Sequence, residues 1–454
     1  MSKSSITLMT DGPVWKRIVM FAIPIFWGNL FQQLYNTVDS LIVGNYLGES
    51  ALAAVTSSGH LIFLMVGFFN GIAVGAGVVT ARYFGSKDYS SLKKAMHTTV
   101  AFGLVCGILL TFIGTVSAPT ILRWMGTPSD VLPQSISYFK IYFMGSLAFA
   151  MYNFFVGLLQ SLGDSYHPLI YLIISSIVNV GLDLLFIAGF HQGVGAAALA
   201  TVLSQILSAL LCLRRLLKNP PELRLELSSI HFYPGHLKAI ISNGFPAGLQ
   251  SSIISIANIF VQTNINHFGK MAIAGCGTYA KIQGFVFLPI TCFSLALTTF
   301  ISQNLGAGKI ERARKGAIFG IICSLSISEL IGGIIYLFIP YFISAFSTST
   351  EVIAIGSQQA RTDCLFYFLL ALSHCMSGIF RGCGKSKVPM YVMLICWCLI
   401  RVSYITIALQ FFPSIQTIFF AYPITWALSS IIFLIYYKKS NWLSSVEPHK
   451  NSAV

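Results

Sequence analysis

The feature that most constrains the fold is a succession of apolar runs, each about 20 or more residues long. Twelve such runs can be counted between Val19 and Tyr437, separated by glycine, proline or charged residues. About 20 residues of α-helix cross the hydrocarbon core of a bilayer, and helices satisfy every backbone hydrogen bond there. The sequence therefore predicts an all-α polytopic membrane protein with twelve transmembrane helices.

Composition and charge agree with this prediction. Of 454 residues, 55% are hydrophobic and 9% are charged, whereas soluble domains have about 25% charged residues. The formal net charge is +14, but Lys and Arg fall almost wholly in alternate loops, which is the pattern of cytoplasmic loops rather than of a nucleic-acid surface. We expect no nucleic-acid partner, both termini in the cytoplasm, and a multi-pass location in a cell (inner) membrane.

The chain also repeats itself at an offset of 221 residues. Gly157–Pro168 and Gly378–Pro389 share glycine at their first and seventh positions, serine at the ninth and proline at the twelfth. We interpret both as helix stops, in which glycine ends one span and proline opens the next. The repeat predicts two pseudo-symmetric six-helix lobes, residues 1–218 and 237–454, joined by a cytoplasmic linker at 219–236. In transporters built from such repeats, substrate binds between the halves near the midplane.

Two carboxylates interrupt the apolar runs of the first half. Asp183 has Asn179 one turn before it, and Asp39 has Tyr35 and Asn36 one turn before it. An aspartate in a membrane helix costs about 2.5–3.5 kcal/mol on insertion scales and usually marks a functional site. Burial and mutual repulsion disfavour ionisation of both acids, so the pair is expected to titrate as a unit. The alternative, that each aspartate caps a helix break, is less favoured because polar companions stand beside both.

These features together resemble the multidrug and toxic compound extrusion (MATE) family, bacterial type, over almost the whole chain. The motifs that carry the resemblance are Pro24 fifteen residues before Asp39, Val43-Gly44 and Leu47-Gly48 after it, the two Gly-to-Pro loops, Asn179 with Asp183, and Gly195–Thr201. The resemblance implies two lobes in a V shape and cation-coupled export of amphipathic organic cations. It implies that Asp39, Asp183, Asn179 and Thr201 form the cation site, and that a bend at Pro24 accompanies transport.

The coupling ion stays open between H⁺ and Na⁺. Two carboxyl groups can hold a proton, and the same oxygens with those of Asn179 and Thr201 can coordinate Na⁺. No cofactor is expected, because no nucleotide-binding, zinc-protease or serine-hydrolase motif occurs in the sequence. The chain is therefore predicted not to be an enzyme, and nothing in it resembles a channel filter.

The second half has no matching acid pair, since Asp183 aligns with Tyr404 at the repeat offset. Its first span instead carries a polar stripe of Ser251, Ser255, Asn258, Gln262 and Asn266. Such a stripe either lines a substrate cavity or makes interhelical hydrogen bonds. Aromatic faces can add binding for organic cations. The predicted cavity residues are Tyr35, Asn36, Gln250, Asn258, Gln262, Phe285 and Glu329.

Glu329, Lys281 and Arg401 also fall inside apolar runs of the second half. They are expected either to form a charge network, with Glu329 pairing Arg401 or Lys281, or to snorkel towards an interface. Asp363 is expected at an interface, because the tenth apolar run begins only at Thr362.

The leading hypothesis is a monomeric secondary active antiporter that exports small organic cations or drugs in exchange for H⁺ or Na⁺. The nearest alternative is a lipid-linked oligosaccharide or lipid flippase of the same superfamily. A flippase of that kind would need a basic cavity facing a pyrophosphate, and few basic residues fall within the predicted spans.

Overall fold

The computed structural model describes residues 6–124, 127, 129, 131–440 and 442, excluding the side chains of residues 49, 50, 52, 53, 56–61, 63 and 64. In this part of the chain every regular element is helical, which confirms the all-α prediction. The helices of the first half are α1 (Val14–Leu47), α2 (Glu49–Ser86), α3 (Tyr89–Trp124), α4 (Leu132–Met144), α5 (Ser146–Ser161), α6 (Tyr166–Asp183) and α7 (Gly195–Leu217). Those of the second half are α8 (Pro234–Asn266), α9 (Lys270–Gly306), α10 (Ile310–Ser344), α11 (Thr350–Cys364), α12 (Tyr367–Gly382), α13 (Lys387–Met393), α14 (Arg401–Phe411) and α15 (Ile415–Lys439).

The spans agree with the apolar runs. Within the described residues, 10 helical segments are long and apolar enough to cross a membrane. The pairs α4–α5 and α11–α12 also pass when each is taken as one span, bent by 49° and 57° respectively. Counting each bent pair once gives up to 12 spans, the number predicted from the sequence.

The start predicted for the tenth span was wrong. This span begins with α11 at Thr350 rather than at Thr362. Polar residues such as Gln358 and Gln359 lower the hydropathy of the segment and hide it from a search for apolar runs. Asp363 is the next-to-last residue of α11 and is 0% exposed, while its interfacial position, which concerns depth in the membrane, stays a prediction.

The chain separates into two compact units. The first contains residues up to Leu8 and Ile23–Phe245, and the second contains Met9–Ala22 and the residues from Pro246 on. The boundaries thus fall inside α1 and α8, beside the equivalent prolines Pro24 and Pro246. The units differ from the predicted lobes, because the first unit also includes the linker and the first turns of α8.

The linker is packed onto the first unit. Leu223 and Leu225 are buried in a core cluster formed with residues of α3, α5 and α7. Lys93 Nζ lies 2.9 Å from Glu226 Oε1, and the backbone N–H of Glu226 donates to His97 Nε2 at 3.1 Å. The hydrogen bond and charge of Lys93 hold the pKa of the Glu226 carboxyl below its usual range. These contacts attach the linker to the N-terminal turns of α3.

The first turns of α8 pack closely against α2 because both helices have a glycine at the contact. A Cβ atom on Gly75 would lie 2.3 Å from Gly244 Cα, and one on Gly244 would lie 2.9 Å from the Ile72 carbonyl oxygen. Ile240, one turn earlier, is buried in the same cluster as Ile72 and Ala76. Small residues that allow backbones to approach closely are typical of membrane helix pairs.

In the second unit, the segment before α1 is held by side chains of α9 and α10. The backbone N–H of Met9 donates to Gln303 Oε1 at 2.8 Å. Lys309 Nζ donates to Asp11 Oδ1 at 2.7 Å, and Arg312 Nη2 donates to the Met9 carbonyl at 3.1 Å. This segment is therefore an integral part of the second unit.

The Gly75–Gly244 contact predicts a stability effect. Gly75→Ala is expected to lower stability by about 1–3 kcal/mol, because the new methyl group must displace the α8 backbone. The check is the apparent melting temperature of the detergent-purified protein. Gly277→Ala is the matched control, since Gly277 is helical and has nothing within 4 Å of its Cβ position. Equal melting temperatures for the two variants would contradict the close packing.

Candidate functional site

The two acids predicted from separate apolar runs meet in the first unit. Asp183 is the last residue of α6, is 0% exposed, and is followed directly by a π-helical segment, Leu184–Gly189. Asp39 lies on α1 and is partly buried. Their carboxyl groups are close enough for a hydrogen bond with each other. Such a bond requires a proton on one of them, and π-helical turns within helices are frequent at functional sites.

The polar atoms of this site lack partners. Asp39 Oδ1, both carboxyl oxygens of Asp183 and both amide atoms of Asn179 are buried without a hydrogen-bond partner among the described residues, apart from the carboxyl–carboxyl interaction. Buried polar groups are nearly always paired, so each exception needs an explanation. Asn179 and Asp183 stand one turn apart on the buried face of α6. Their carboxyl and amide oxygens fit a proton or a small hard cation.

Tyrosine and amide side chains surround the acid pair. The Tyr35 hydroxyl lies near the Gln205 side chain and within electrostatic range of both acids. Tyr138 is buried, interacts electrostatically with both acids, and stacks on Tyr142 with ring centroids 6.2 Å apart. Sequence reasoning found Tyr35 but missed Tyr138 and Gln205. One indication in the sequence that Gln205 belongs to the site was its position one helical turn after Thr201.

The remaining predicted residues of the first half lie on the same helices. Thr201 is partly buried on α7, and its hydroxyl donates to the Ala197 carbonyl oxygen at 3.0 Å. Its oxygen still has lone pairs that can accept or coordinate. Asn36 is exposed, and its backbone oxygen accepts from Ser40 Oγ at 2.9 Å. Pro24 lies inside α1, two residues from the unit boundary.

The polar stripe of α8 bonds mostly within its own helix. Ser255 Oγ donates to the Ser251 carbonyl at 3.0 Å, and Gln262 Nε2 donates to Asn266 Oδ1 at 2.9 Å. Gln250, just before the stripe, reaches another helix, with Nε2 donating to Ser377 Oγ of α12 at 3.2 Å. Asn258 and Phe285 are exposed, so both remain cavity predictions.

Glu329 caps the break between α11 and α12. Its Oε2 accepts from the backbone N–H of Phe368 at 3.0 Å, in the first turn of α12. A Cβ atom on Gly332 would lie 3.0 Å from the Cys364 carbonyl, so α10 approaches the break closely. A carboxylate at a helix N-terminus satisfies free N–H groups and the helix dipole. Among the described residues Glu329 makes no salt bridge, unlike the predicted network.

Arg401 has different partners from those predicted. It is 1% exposed, and its Nη2 and Nε donate to Thr425 Oγ1 at 2.7 and 3.2 Å. Its guanidinium lies 4.7 Å from the Tyr422 ring centroid and 5.1 Å from that of Trp397. Lys281 is exposed, with its Nζ 5.8 Å from the Phe346 ring, which agrees with snorkelling.

Asp363 is the buried acid of the second unit. Its Oδ2 accepts from Gln283 Nε2 at 3.4 Å, its Oδ1 has no partner among the described residues, and it interacts electrostatically with Arg401. The neighbouring hydroxyls of Tyr279 and Tyr367 share a hydrogen bond of 2.6 Å. The second unit therefore places an acid and a base in one buried region, whereas the first unit places two acids together.

This difference predicts opposite stability effects for two similar substitutions. Asp183→Asn removes the repulsion between two carboxyls, so the melting temperature is expected to stay the same or rise. Asp363→Asn leaves buried Arg401 without its neighbouring carboxyl and is expected to cost about 1–3 kcal/mol. Both are measured by thermal unfolding in the same detergent. A fall for Asp183→Asn as large as that for Asp363→Asn would assign Asp183 a structural role.

A comparison with protein-family models gives one family, MatE, which matches residues 24–185 and again 246–407. The second match begins 222 residues after the first, in agreement with the internal repeat. The Bacillus subtilis protein called probable multidrug resistance protein YoeA is 27% identical over 434 residues, covering 94% of each chain. The Thermotoga maritima protein called probable multidrug resistance protein NorM is 25% identical over 384 residues, covering 84% of this chain and 82% of its own.

Solved structures share the fold. A multidrug resistance MATE family transporter of the MOP superfamily, in an outward-facing conformation, superposes with a TM-score of 0.90 at 22% identity over 98% of this chain and 100% of its own. A MOP superfamily transporter from Pyrococcus furiosus superposes with a TM-score of 0.89 at 22% identity over 96% of this chain and 98% of its own.

Proposed function

The chain belongs to the MatE family, and on that premise we propose that it is a secondary active multidrug exporter that exchanges amphipathic organic cations for H⁺ or Na⁺ at Asp39 and Asp183. It is a multi-pass membrane protein, and its curated relatives carry the names of multidrug resistance and export proteins. The observation that carries the proposal is the meeting of two carboxyls, with unpaired oxygens, in an apolar helical unit.

The acid pair can act as an exchange site because it has two charge states that differ in their need for a cation. With one shared proton, the two carboxyls hydrogen-bond to each other. Without it, two negative charges face each other in an apolar environment, which is costly unless a cation is present. Na⁺ would take the carboxyl oxygens together with the oxygens of Asn179 and Thr201. The Tyr35 hydroxyl can donate to a carboxylate once the shared proton has left.

Pro24 is proposed as the point where α1 changes direction. Proline removes one backbone hydrogen bond and clashes with the preceding turn, so the helix is weakest there. Asp39 follows on the same helix, and Pro24 lies beside the boundary between the units. A bend at Pro24 would therefore alter the distance between the Asp39 carboxyl and Asp183 on α6.

The remaining proposals follow from the loops and composition. The basic loops and both termini are assigned to the cytoplasm by the positive-inside rule. We propose a monomer in the cell (inner) membrane, acting on small organic cations without a bound cofactor. The flippase alternative is favoured by one observation, the buried Arg401 of the second unit. Arg401, however, is already enclosed by Thr425 and two aromatic rings.

Transport in proteoliposomes tests the proposal. Ethidium movement is followed by fluorescence while a pH gradient and a Na⁺ gradient are imposed separately. One pH unit supplies about 1.4 kcal/mol per proton, equivalent to a tenfold concentration ratio. Wild type is expected to move ethidium under one of the gradients, and Asp39→Asn and Asp183→Asn are expected to abolish gradient-driven movement.

Glu222→Gln is the charge-matched control, because Glu222 is an exposed acid of the linker. No ethidium movement by wild type under either gradient would reject the antiport proposal and favour a lipid-linked substrate. Normal gradient-driven movement by Asp183→Asn would reject the acid pair as the coupling site.

Pro24→Ala tests the bend separately from the acids. The alanine restores an N–H group to the helix, so α1 is expected to be more stable and the transport rate to fall severalfold. Ethidium binding in detergent is expected to change less than twofold, because the binding groups remain. Pro423→Ala in α15 is the control for loss of an intrahelical proline. Equal transport by Pro24→Ala and wild type would exclude a bend at this residue.

A further inference from the structure

A second polar cluster lies in the second unit, where α12 crosses α9 and α8. His374, Ser377 and Arg381 recur every three or four residues and so share one face of α12. Arg381 Nη2 donates to Ser294 Oγ at 3.1 Å, and Ser294 Oγ donates to the His374 carbonyl oxygen at 2.7 Å. Gln250 of α8 reaches Ser377 from the other side.

Three atoms of this cluster have no partner. Arg381 Nε, His374 Nε2 and Gln250 Oε1 are all buried without a hydrogen bond among the described residues. Arg381 and His374 are only partly buried as whole residues, so other atoms of both residues are accessible at the surface of the described structure. Buried polar atoms without partners need an explanation, and three on adjacent side chains indicate a missing group.

The cluster also lacks a counter-charge. The described acids of the second unit are engaged or exposed. Asp11 pairs with Lys309 and Glu311 with Arg314. Glu329 caps α12, Asp363 accepts from Gln283, and Glu351 is exposed in the first turn of α11. No salt bridge of Arg381 occurs in the described part of the chain. The carbonyl end of α12 favours a positive charge there, but it does not provide Arg381 Nε with an acceptor.

The internal repeat shows that the basic residues are not needed for packing. In the first half, Asn153, Gln160 and Ala73 stand where His374, Arg381 and Ser294 stand in the second. The helix crossing is the same in both units. A Cβ atom on Gly157 would lie 2.9 Å from the Ala73 carbonyl oxygen, and one on Gly378 would lie 2.3 Å from that of Ser294. The second half thus adds an arginine and a histidine to a crossing that forms without them.

We propose that this cluster is a binding subsite for an oxyanion, either the carboxylate of a zwitterionic amphipathic substrate or the phosphate of a lipid headgroup. A carboxylate or phosphate fits side-on against the Nε–H and the second Nη2–H of a guanidinium. His374 can donate from Nε2 in one of its tautomers. Its ring also lies 5.9 Å from the Phe287 ring and 5.6 Å from the Trp397 ring, which offers an aromatic surface beside the anion site.

A matched pair of dyes tests the carboxylate. Rhodamine B carries a free carboxylate on a cationic ring system, and its ethyl ester keeps the cation but lacks the carboxylate. Binding of each dye to the purified full-length protein is measured by fluorescence anisotropy. Arg381→Gln is expected to weaken rhodamine B binding about tenfold or more, since charge-assisted bidentate hydrogen bonds are lost. Binding of the ester is expected to change less than twofold.

Arg381→Lys keeps the charge without the planar fork and is expected to fall between wild type and Arg381→Gln. Arg314→Gln, which removes an exposed arginine of the same unit, is expected to leave both dyes unaffected. Equal losses for rhodamine B and its ester in Arg381→Gln would mean a general disturbance of the protein and would overturn the proposal.

A second arm distinguishes a lipid source of the anion. Wild type and Arg381→Gln are compared in nanodiscs of phosphatidylcholine with and without phosphatidylglycerol, and retained lipid is counted by native mass spectrometry. Phosphatidylglycerol retained by wild type and lost from Arg381→Gln would identify a lipid phosphate as the ligand. Arg381-independent binding of rhodamine B and of phosphatidylglycerol would reject the subsite altogether.

The rhodamine B test rests on the proposed function in one respect, the assumption that a zwitterionic amphipathic compound is a transported substrate. Binding is measured without a gradient, so its outcome does not depend on transport. Arg381-dependent binding without gradient-driven movement of either dye would reject antiport and keep the subsite. Gradient-driven movement of the ester without Arg381-dependent binding of rhodamine B would keep the antiport proposal and reject the carboxylate subsite.

Discussion

Two carboxyl groups without donors in an apolar helical unit are the constraint on which the first half of this molecule depends. A helix hydrogen-bonds its own backbone groups, so it is stable in a bilayer. A carboxylate side chain needs a hydrogen-bond donor or a cation from outside its own helix. The first unit encloses the pair with Tyr35, Tyr138 and Gln205 and leaves its oxygens largely unpaired. A proton or a cation is the simplest remaining partner. This unmet need for a partner is the physical basis of the cation exchange proposed for the first unit.

The same helical framework supports different chemistry in the two halves. Both units contain a bent span and a close glycine crossing, between α2 and α5 in the first and between α9 and α12 in the second. The first unit uses this framework to bring two acids together. The second places its buried acid within electrostatic range of Arg401 and has a further basic cluster elsewhere. The duplicated fold thus places helices equivalently in both halves, while different side chains give the first half two acids and the second half an acid with basic residues.

The sequence was most informative where a charged residue lies inside an apolar run. An aspartate in an apolar run is visible without a structure, and both Asp39 and Asp183 were found in this way. The burial of Asp363 was missed because its helix begins with polar residues, and packing against α9 and α10 buries that helix only in the folded protein. The position of Glu329 was visible but its partner was not, because the helix break that it caps depends on a bend between α11 and α12. Arg381 lay inside a recognised motif and was read as part of a helix stop.

The position of Pro24 connects the acid pair to conformational change through distance alone. Within the first unit, Gly28 on α1 faces Leu172 on α6, where an added Cβ atom would make only van der Waals contact at 3.8 Å. At Gly28 itself, α1 has no side chain that could interlock with Leu172 and resist a change in direction. The interaction energy of two charges varies inversely with their separation and is largest in a medium of low dielectric constant. In the proposed mechanism, a small movement of α1 beyond Pro24 would therefore change the affinity of the acid pair for its cation.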